Sequence, residues 1–357
     1  MTLTLPRIKR ILMIVLALAS ATICSGQTNH EAHSSAMIHQ TTADLLAGVS
    51  KGLAYSGFRH GQHPDRGDGA ANPTDAQILE DLRIIARNSS FRLIRLYDSQ
   101  ANSEAALRLI QANKMNLKVM LGAWLSAEIS NPHCPWLKAP IADATLEANK
   151  TKNRREIENA IRLANKYSSI VVAINVGNEA LVDWNDHMVS LDSVISYVRQ
   201  VKRAVRQPVT VADNYAWWVK NGVPLAQEVD FVTLHTYPAW ENKDIDEALS
   251  YSIANIQAVH TTLPHSRLVI GEAGWPSTAS EFGKRASAEN QKRHVNELTA
   301  WANRNNVTTF IFEAFDEDWK GDPSDAGGAE KHWGLFTVDR KPKLAMAELY
   351  PDLFPAK

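Results

Sequence analysis

Two glutamates stand where chemistry is easiest to do. Glu179 closes the run "IVVAINVGNE" (residues 170–179) and Glu272 closes "RLVIGE" (residues 267–272). Each directly follows an apolar stretch, so each is expected at the rigid end of a buried strand. Two carboxylates facing one another are what glycosidic cleavage needs. One, protonated, gives its proton to the leaving oxygen; the other, ionised, attacks the anomeric carbon or activates water. Retention needs them roughly 5–5.5 Å apart and inversion roughly 6.5–9.5 Å. Asn178, next to Glu179, offers an amide to a sugar hydroxyl. Gly271 and Gly274 flank Glu272 and predict close approach and unusual backbone angles. Trp275 and Pro276 read as a stiff, flat wall beside the bound sugar.

Something must bring the two carboxylates together. Eight short β-rich runs recur along the chain, at residues 52–56, 91–98, 117–124, 170–179, 208–213, 231–238, 267–272 and 308–317. Between them lie stretches of helical spacing such as "DAQILEDLRIIARN" and "NRREIENAIRLANKY". Continuous apolar strands alternating with helices predict a parallel sheet covered on its faces. Eight such units predict an α/β fold, a single (β/α)8 TIM barrel, with its active site at the C-terminal ends of the strands. An open doubly wound sheet is the alternative, but it favours a glycine-rich phosphate loop after an early strand. Neither GxGxxG nor a P-loop occurs here. Strands four and seven lie on opposite sides of an eight-stranded barrel, so long side chains on them can converge over its axis.

The other predicted strand ends are polar too: Tyr55, Tyr97 with Asp98, Trp124, Asp213 with Asn214, His235 with Tyr237, and Asp316 with Glu317. Any one of these is also what the start of a loop would show. Together they form a set rich in carboxylates, amides and aromatics. It lacks a metal cage, a nucleophilic serine turn and a Cys–His pair, and no cofactor is expected.

The 357 residues are 45% hydrophobic with a net charge of −1, which gives no general attraction for nucleic acid or an anionic membrane. Ten tryptophans supply flat faces suited to sugar rings. Arg7, Lys9 and Arg10 precede the apolar run 11–23, and small residues follow. This is the layout of a secretory signal peptide over residues 1–26, and the run is short for a membrane span. Cleavage there leaves Cys134 as the sole cysteine, so no intrachain disulfide is expected. The organisation expected is a signal at 1–26, a flexible polar lead-in at 27–47, one catalytic domain at 48–352 and a short tail at 353–357. The mature protein is expected to be a secreted or periplasmic monomer.

The stretches "INVGNEALV", "LVIGEAGWPS", "RLYDS" and "FDEDWKG…EKHWGLF" resemble glycoside hydrolase family 17. The resemblance runs from about Gly48 to Tyr350. It implies a retaining β-1,3-glucanase on a (β/α)8 barrel, with Glu179 as acid/base and Glu272 as nucleophile. It also implies that Glu317, Lys320 and Glu330 support the pair. Tyr55, Tyr97 with Asp98, and Tyr237 would then surround the cleaved bond, and a β-glucan would be the partner. Two stretches depart from the plant enzymes: the longer loop "SGFRHGQHPDRGDGAANP" after the first strand, and "FEAFDE" before the supporting glutamate. Such loops set endo or exo access. A β-1,3-glucanosyltransferase or exo-β-1,3-glucanase would use the same residues. A non-catalytic glucan-binding barrel is the alternative from another class.

Overall fold

The computed structural model describes residues 38–41, 46, 51–65, 69–87 and 91–352. The expected signal peptide, most of the lead-in and the tail at 353–357 lie outside the described residues. Eight parallel strands pair in sequence order and close into a barrel. They are β1 (Lys51–Ala54), β2 (Leu93–Arg95), β3 (Lys118–Ala123), β4 (Val171–Asn178), β5 (Val209–Asn214), β6 (Val232–His235), β7 (Leu268–Ala273) and β8 (Thr309–Ile311). The helices are α1 (Asp75–Arg87), α2 (Ala101–Ala112), α3 (Asp143–Lys166), α4 (Leu191–Ala204), α5 (Tyr215–Asn221), α6 (Val223–Ala226), α7 (Ile245–Thr262) and α8 (Ala288–Asn305). All eight predicted runs contain a strand. Among the described residues, no helix is long and apolar enough to cross a membrane.

Sequence explains where the helices begin. Ser190 and Ser287 accept backbone N–H groups at the starts of α4 and α8, and Asp244 with Glu247 forms a capping box at α7. The barrel interior is packed in layers. Leu93, Met120, Ala173, Phe231, Val269 and Phe310 make an apolar cluster near the strands' N-terminal ends. The next inward positions turn polar, with Arg95, Thr233 and His235 all buried.

Two boundaries differ from the sequence reading. The lead-in is not free throughout: Ile38 is buried and Leu46 joins the apolar layer. Gln40 acts like a strand residue in miniature. Its side chain gives Nε2–H to the Leu268 carbonyl at 2.8 Å and takes the Leu268 N–H at 2.7 Å. The eighth strand also stops at Ile311 instead of running on to 317. Past it, the backbone partners change. Glu313 N–H bonds to the Trp333 carbonyl, while Leu335 and Phe336 N–H bond back to Glu313 and Ala314. Residues 313–316 therefore pair with the 333–336 segment, while the Ala314 N–H still bonds to the Ala54 carbonyl at the end of β1.

Candidate active site

Both strands that carry the glutamates are irregular at their ends. β4 slips register against β5 between Asn175 and Asn178, and β7 slips against β6 between Leu234 and His235. A bulge re-aims the side chain that follows it. Gly177 takes φ +80° and Glu179 itself φ +48°, in the left-handed region that a non-glycine residue rarely occupies. The backbone around Glu179 is held there. Its N–H bonds to Ala212 O at 2.9 Å, and Asn185 Nδ2 bonds to its carbonyl at 2.5 Å. Buried Asp213 takes the N–H of Leu181 at 3.1 Å.

The two carboxylates meet over one imidazole. His235 Nδ1 lies 2.8 Å from Glu179 Oε1 and 3.6 Å from Glu272 Oε2. Those contacts laid end to end cap the separation of these two oxygens at about 6.4 Å, which admits the roughly 5–5.5 Å of a retaining pair. The environments of the two acids differ. Glu179 keeps 24% of its side chain exposed and Glu272 only 7%. Glu272 Oε1 accepts from Arg95 at 2.8 Å and from the Tyr97 hydroxyl at 2.9 Å, and Oε2 from the Tyr237 hydroxyl at 2.6 Å. Burial pushes the Glu272 carboxyl up. His235, Arg95 and the two tyrosines outweigh it and hold the group below the usual carboxylate range. Burial and the Glu272 charge push both tyrosines well above theirs, so both hydroxyls keep their protons. Arg95 is fully buried. It also bonds to the Gly271 carbonyl at 2.9 Å and the Asn178 amide oxygen at 2.5 Å, and touches His235 Nε2 at 3.2 Å.

A second acid cluster sits beside the first. Lys320 Nζ lies 2.7 Å from Glu313 and 2.7 Å from Glu317, both buried. Burial raises Glu313 well above the carboxylate range, and nearby Glu317 adds to the rise against the opposing pull of Lys320. Glu317, also opposed by burial, is held below the range by Lys320 and by hydrogen bonds that include the Ser56 hydroxyl. Burial raises Glu330; Lys320 opposes this, and the Glu272 and Glu179 charges reinforce it.

Residues 52–334 match the BtgE/BtgC glycoside hydrolase domain family. The chain belongs to that family, within glycoside hydrolase family 17. A glucan 1,3-beta-glucosidase of Arthroderma benhamiae is 28% identical over 271 residues, 70% of this chain and 78% of that protein. A probable glucan endo-1,3-beta-glucosidase of Aspergillus clavatus is 25% identical over 297 residues, 76% of this chain; the match spans only 39% of that longer relative. Among solved structures, an endo-laminarinase from Formosa Hel1_33_131 superposes with a TM-score of 0.74 at 26% identity, over 87% of this chain and 90% of that one.

In this family 17 barrel the residues expected from sequence fall into three groups. Glu179, Glu272, Asn178, Tyr97 and Tyr237 come together around His235 and Arg95. Glu317, Lys320 and Glu330 form the neighbouring cluster, where Lys320 pairs with Glu313 and Glu317 rather than with Glu179 or Glu272. Tyr55 and Trp275 do not present themselves to a ligand, and Asp98, half-buried, has one carboxylate oxygen engaged. The Tyr55 ring is buried and its hydroxyl goes to Asp81 at 3.2 Å. Asp98 is occupied at the start of α2, taking the Gln100 N–H and the Ser103 hydroxyl. Trp275 is 1% exposed, and its indole N–H bonds to the Arg285 carbonyl at 2.8 Å. It is a strut inside the loop, not a wall for sugar. Nor do its neighbouring glycines adopt positive φ; they answer to crowding. A Cβ on Gly271 would meet Thr233 at 2.3 Å, and one on Gly274 would meet Phe312 O at 2.2 Å.

In the loop after β6 the ring of Trp240 is exposed, 45% accessible, and packs on Phe282 at 4.7 Å. Sequence reasoning assigned no role to Trp240, Arg95 or Glu313. The signal that could have found Arg95 is a second arginine in "FRLIRLYD", two residues before the strand-end Tyr97, since a buried cation requires a buried anion.

Proposed function

We propose that this protein is a retaining, endo-acting β-1,3-glucanase, with Glu272 as nucleophile and Glu179 as acid/base. The observation that carries the assignment is the asymmetry of the pair. Glu272 is enclosed by three hydrogen-bond donors that favour its ionised form, with His235 Nδ1 at 3.6 Å beside them. Glu179 is more open and shares only His235 with it. The cap on their separation admits retention. Oε1 of Glu272 carries two hydrogen bonds and Oε2 one, so Oε2 has the freer lone pair for attack. As Oε2 bonds to the anomeric carbon, the bond from that carbon to the leaving oxygen breaks. The leaving oxygen takes the Glu179 proton. Water then surrenders a proton to Glu179 and attacks the same carbon, releasing Glu272 as carboxylate. Asn178, fixed by Arg95, is placed to hold a hydroxyl of the reacting sugar, and Trp240 to stack on a neighbouring ring. The substrate class rests on the names of the relatives: glucan 1,3-beta-glucosidases and an endo-laminarinase. The basic-then-apolar layout of residues 1–26 supports action outside the cytoplasm.

The test is a time course on linear β-1,3-glucan, followed by mass spectrometry and by NMR of the newborn anomeric centre. Early short oligomers of β configuration are expected, with no turnover in Glu272→Gln of unchanged circular dichroism. The α anomer as first product overturns retention, and full activity in Glu272→Gln overturns the nucleophile. Glucose or one fixed small product from the start would make the enzyme exo-acting. Products longer than the input would make it a transferase.

A further inference from the structure

Of the six exposed large hydrophobic side chains among the described residues, Val219, Val223 and Trp240 lie after β5 and β6, and the other three share one place. Ile129, Trp136 and Trp184 are 39%, 57% and 41% accessible, and all three lie on two loops, the one after β3 and the one after β4. These loops form one body. Glu128 and Ile129 N–H both bond to the Met188 carbonyl, and the Asn131 side chain bonds to the carbonyls of Asp183 and Asn185, on either side of Trp184. Asn131 and Cys134 are buried, which roots the segment leading to Trp136. Two large indoles are thus carried, exposed, on loops tied to one another. Protein stability gives no reason to expose them, because burying either ring would be favourable.

These loops are continuous with the acid/base. Asn185 bonds to the Glu179 carbonyl, and His187 Nε2 lies 2.8 Å from the Asn178 carbonyl. The His187 ring stacks on Trp124 at 4.7 Å and 32°, at the end of β3. The Trp124–His187 pair and the loop that carries Trp184 therefore adjoin Glu179, after strands opposite β8 in the barrel order. Glu179 is the group that handles the leaving oxygen, so sugars running along these loops belong to the leaving side of the scissile bond.

We propose that Trp136 and Trp184 form a platform for the leaving-side sugars of a β-glucan chain, which also seats a sugar acceptor when one replaces water. This rests on the glucanase reading above. Pyranose rings present flat C–H faces that suit indole, and no charged group is needed to hold a neutral polysaccharide. Such a platform contributes nothing to a substrate whose leaving group is not a sugar chain.

The experiment compares wild type with Trp136→Ala/Trp184→Ala on laminarihexaose and on a nitrophenyl β-laminaribioside. The aryl substrate has no leaving-side sugars and also reports whether the variant is folded. Each ring is expected to contribute about three- to tenfold to kcat/KM on the hexasaccharide. The aryl substrate should change by less than about twofold. Longer transfer products at high oligosaccharide concentration should fall with the hexasaccharide rate. Equal losses on both substrates, or no loss on either, overturn the platform. A wild type inactive on both removes the glucanase reading, and the platform with it; a wild type active on both with an unaffected double variant removes the platform alone.

Discussion

Replacing Tyr237 with Phe removes one hydroxyl and little else. The ring stays packed against Trp333 at 5.2 Å and Phe312 at 5.8 Å, so the fold has no cavity to close. What is lost is a 2.6 Å hydrogen bond to Glu272 Oε2, donated to a buried carboxylate. A bond of that kind contributes roughly 1.5–3 kcal/mol to the charged form. One pKa unit corresponds to about 1.4 kcal/mol, so the Glu272 carboxyl should rise by about 1–2 units. Its folded-state pKa lies below the ordinary value because of His235, Arg95 and the two tyrosines, against burial. The nucleophile therefore works at any pH above that depressed value and is silenced as pH falls through it. In Tyr237→Phe the silencing begins at higher pH. The acid limb of kcat/KM on a nitrophenyl β-laminaribioside should move upward by about 1–2 units. The plateau should fall less steeply than the limb moves, because Glu272 loses its charge in the transition state and the lost donor stabilised the ground state most. The same shift lowers stability above the ordinary glutamate range, about 4.3, where the depressed Glu272 pKa stabilises the native state; the difference from wild type fades as pH falls and Glu272 is protonated in both. A profile that drops uniformly, with its acid limb unmoved, would refute the claim that Tyr237 acts by holding Glu272 ionised.

Two further outcomes follow from the surroundings of the site. Trp275→Ala should cost about 3–5 kcal/mol of folding stability in denaturant titration, with KM changed far less at temperatures where the variant stays folded, because the ring is internal. His294 is fully buried against Trp275 with both ring nitrogens unpartnered, and burial lowers it to about 4. The unfolded chain protonates it from about pH 6.5 downward, so native stability should decline by about 3 kcal/mol between there and pH 4. His294→Gln should flatten that part of the stability–pH curve; an unchanged slope would place its origin in other groups.

The barrel was legible because it depends on periodicity, which is local. Eight apolar runs separated by helical spacing admit few topologies, and every run contains a strand. The two glutamates were legible because they end such runs. What surrounds them was harder, since it depends on which way a side chain turns after the strand has ended. Trp275 follows Glu272 by three residues and looks like part of the same surface. A close packing of Gly274 on the Phe312 carbonyl turns the chain so that the ring goes inward, toward Arg285 and His294. Trp240 lies three residues past Tyr237 in the same kind of loop and goes outward. Both positions read alike in sequence, because the contacts that separate them come from residues tens of positions away. Arg95 shows the converse. It is two residues before the strand-end tyrosine, and its position among apolar neighbours was not used. Its burial makes it the group to which Glu272, Asn178 and His235 all answer. A charge buried inside a barrel costs several kcal/mol unless it is paired. Such a residue therefore identifies an ionised partner across the barrel, and here that partner is the carboxylate most in need of being kept ionised.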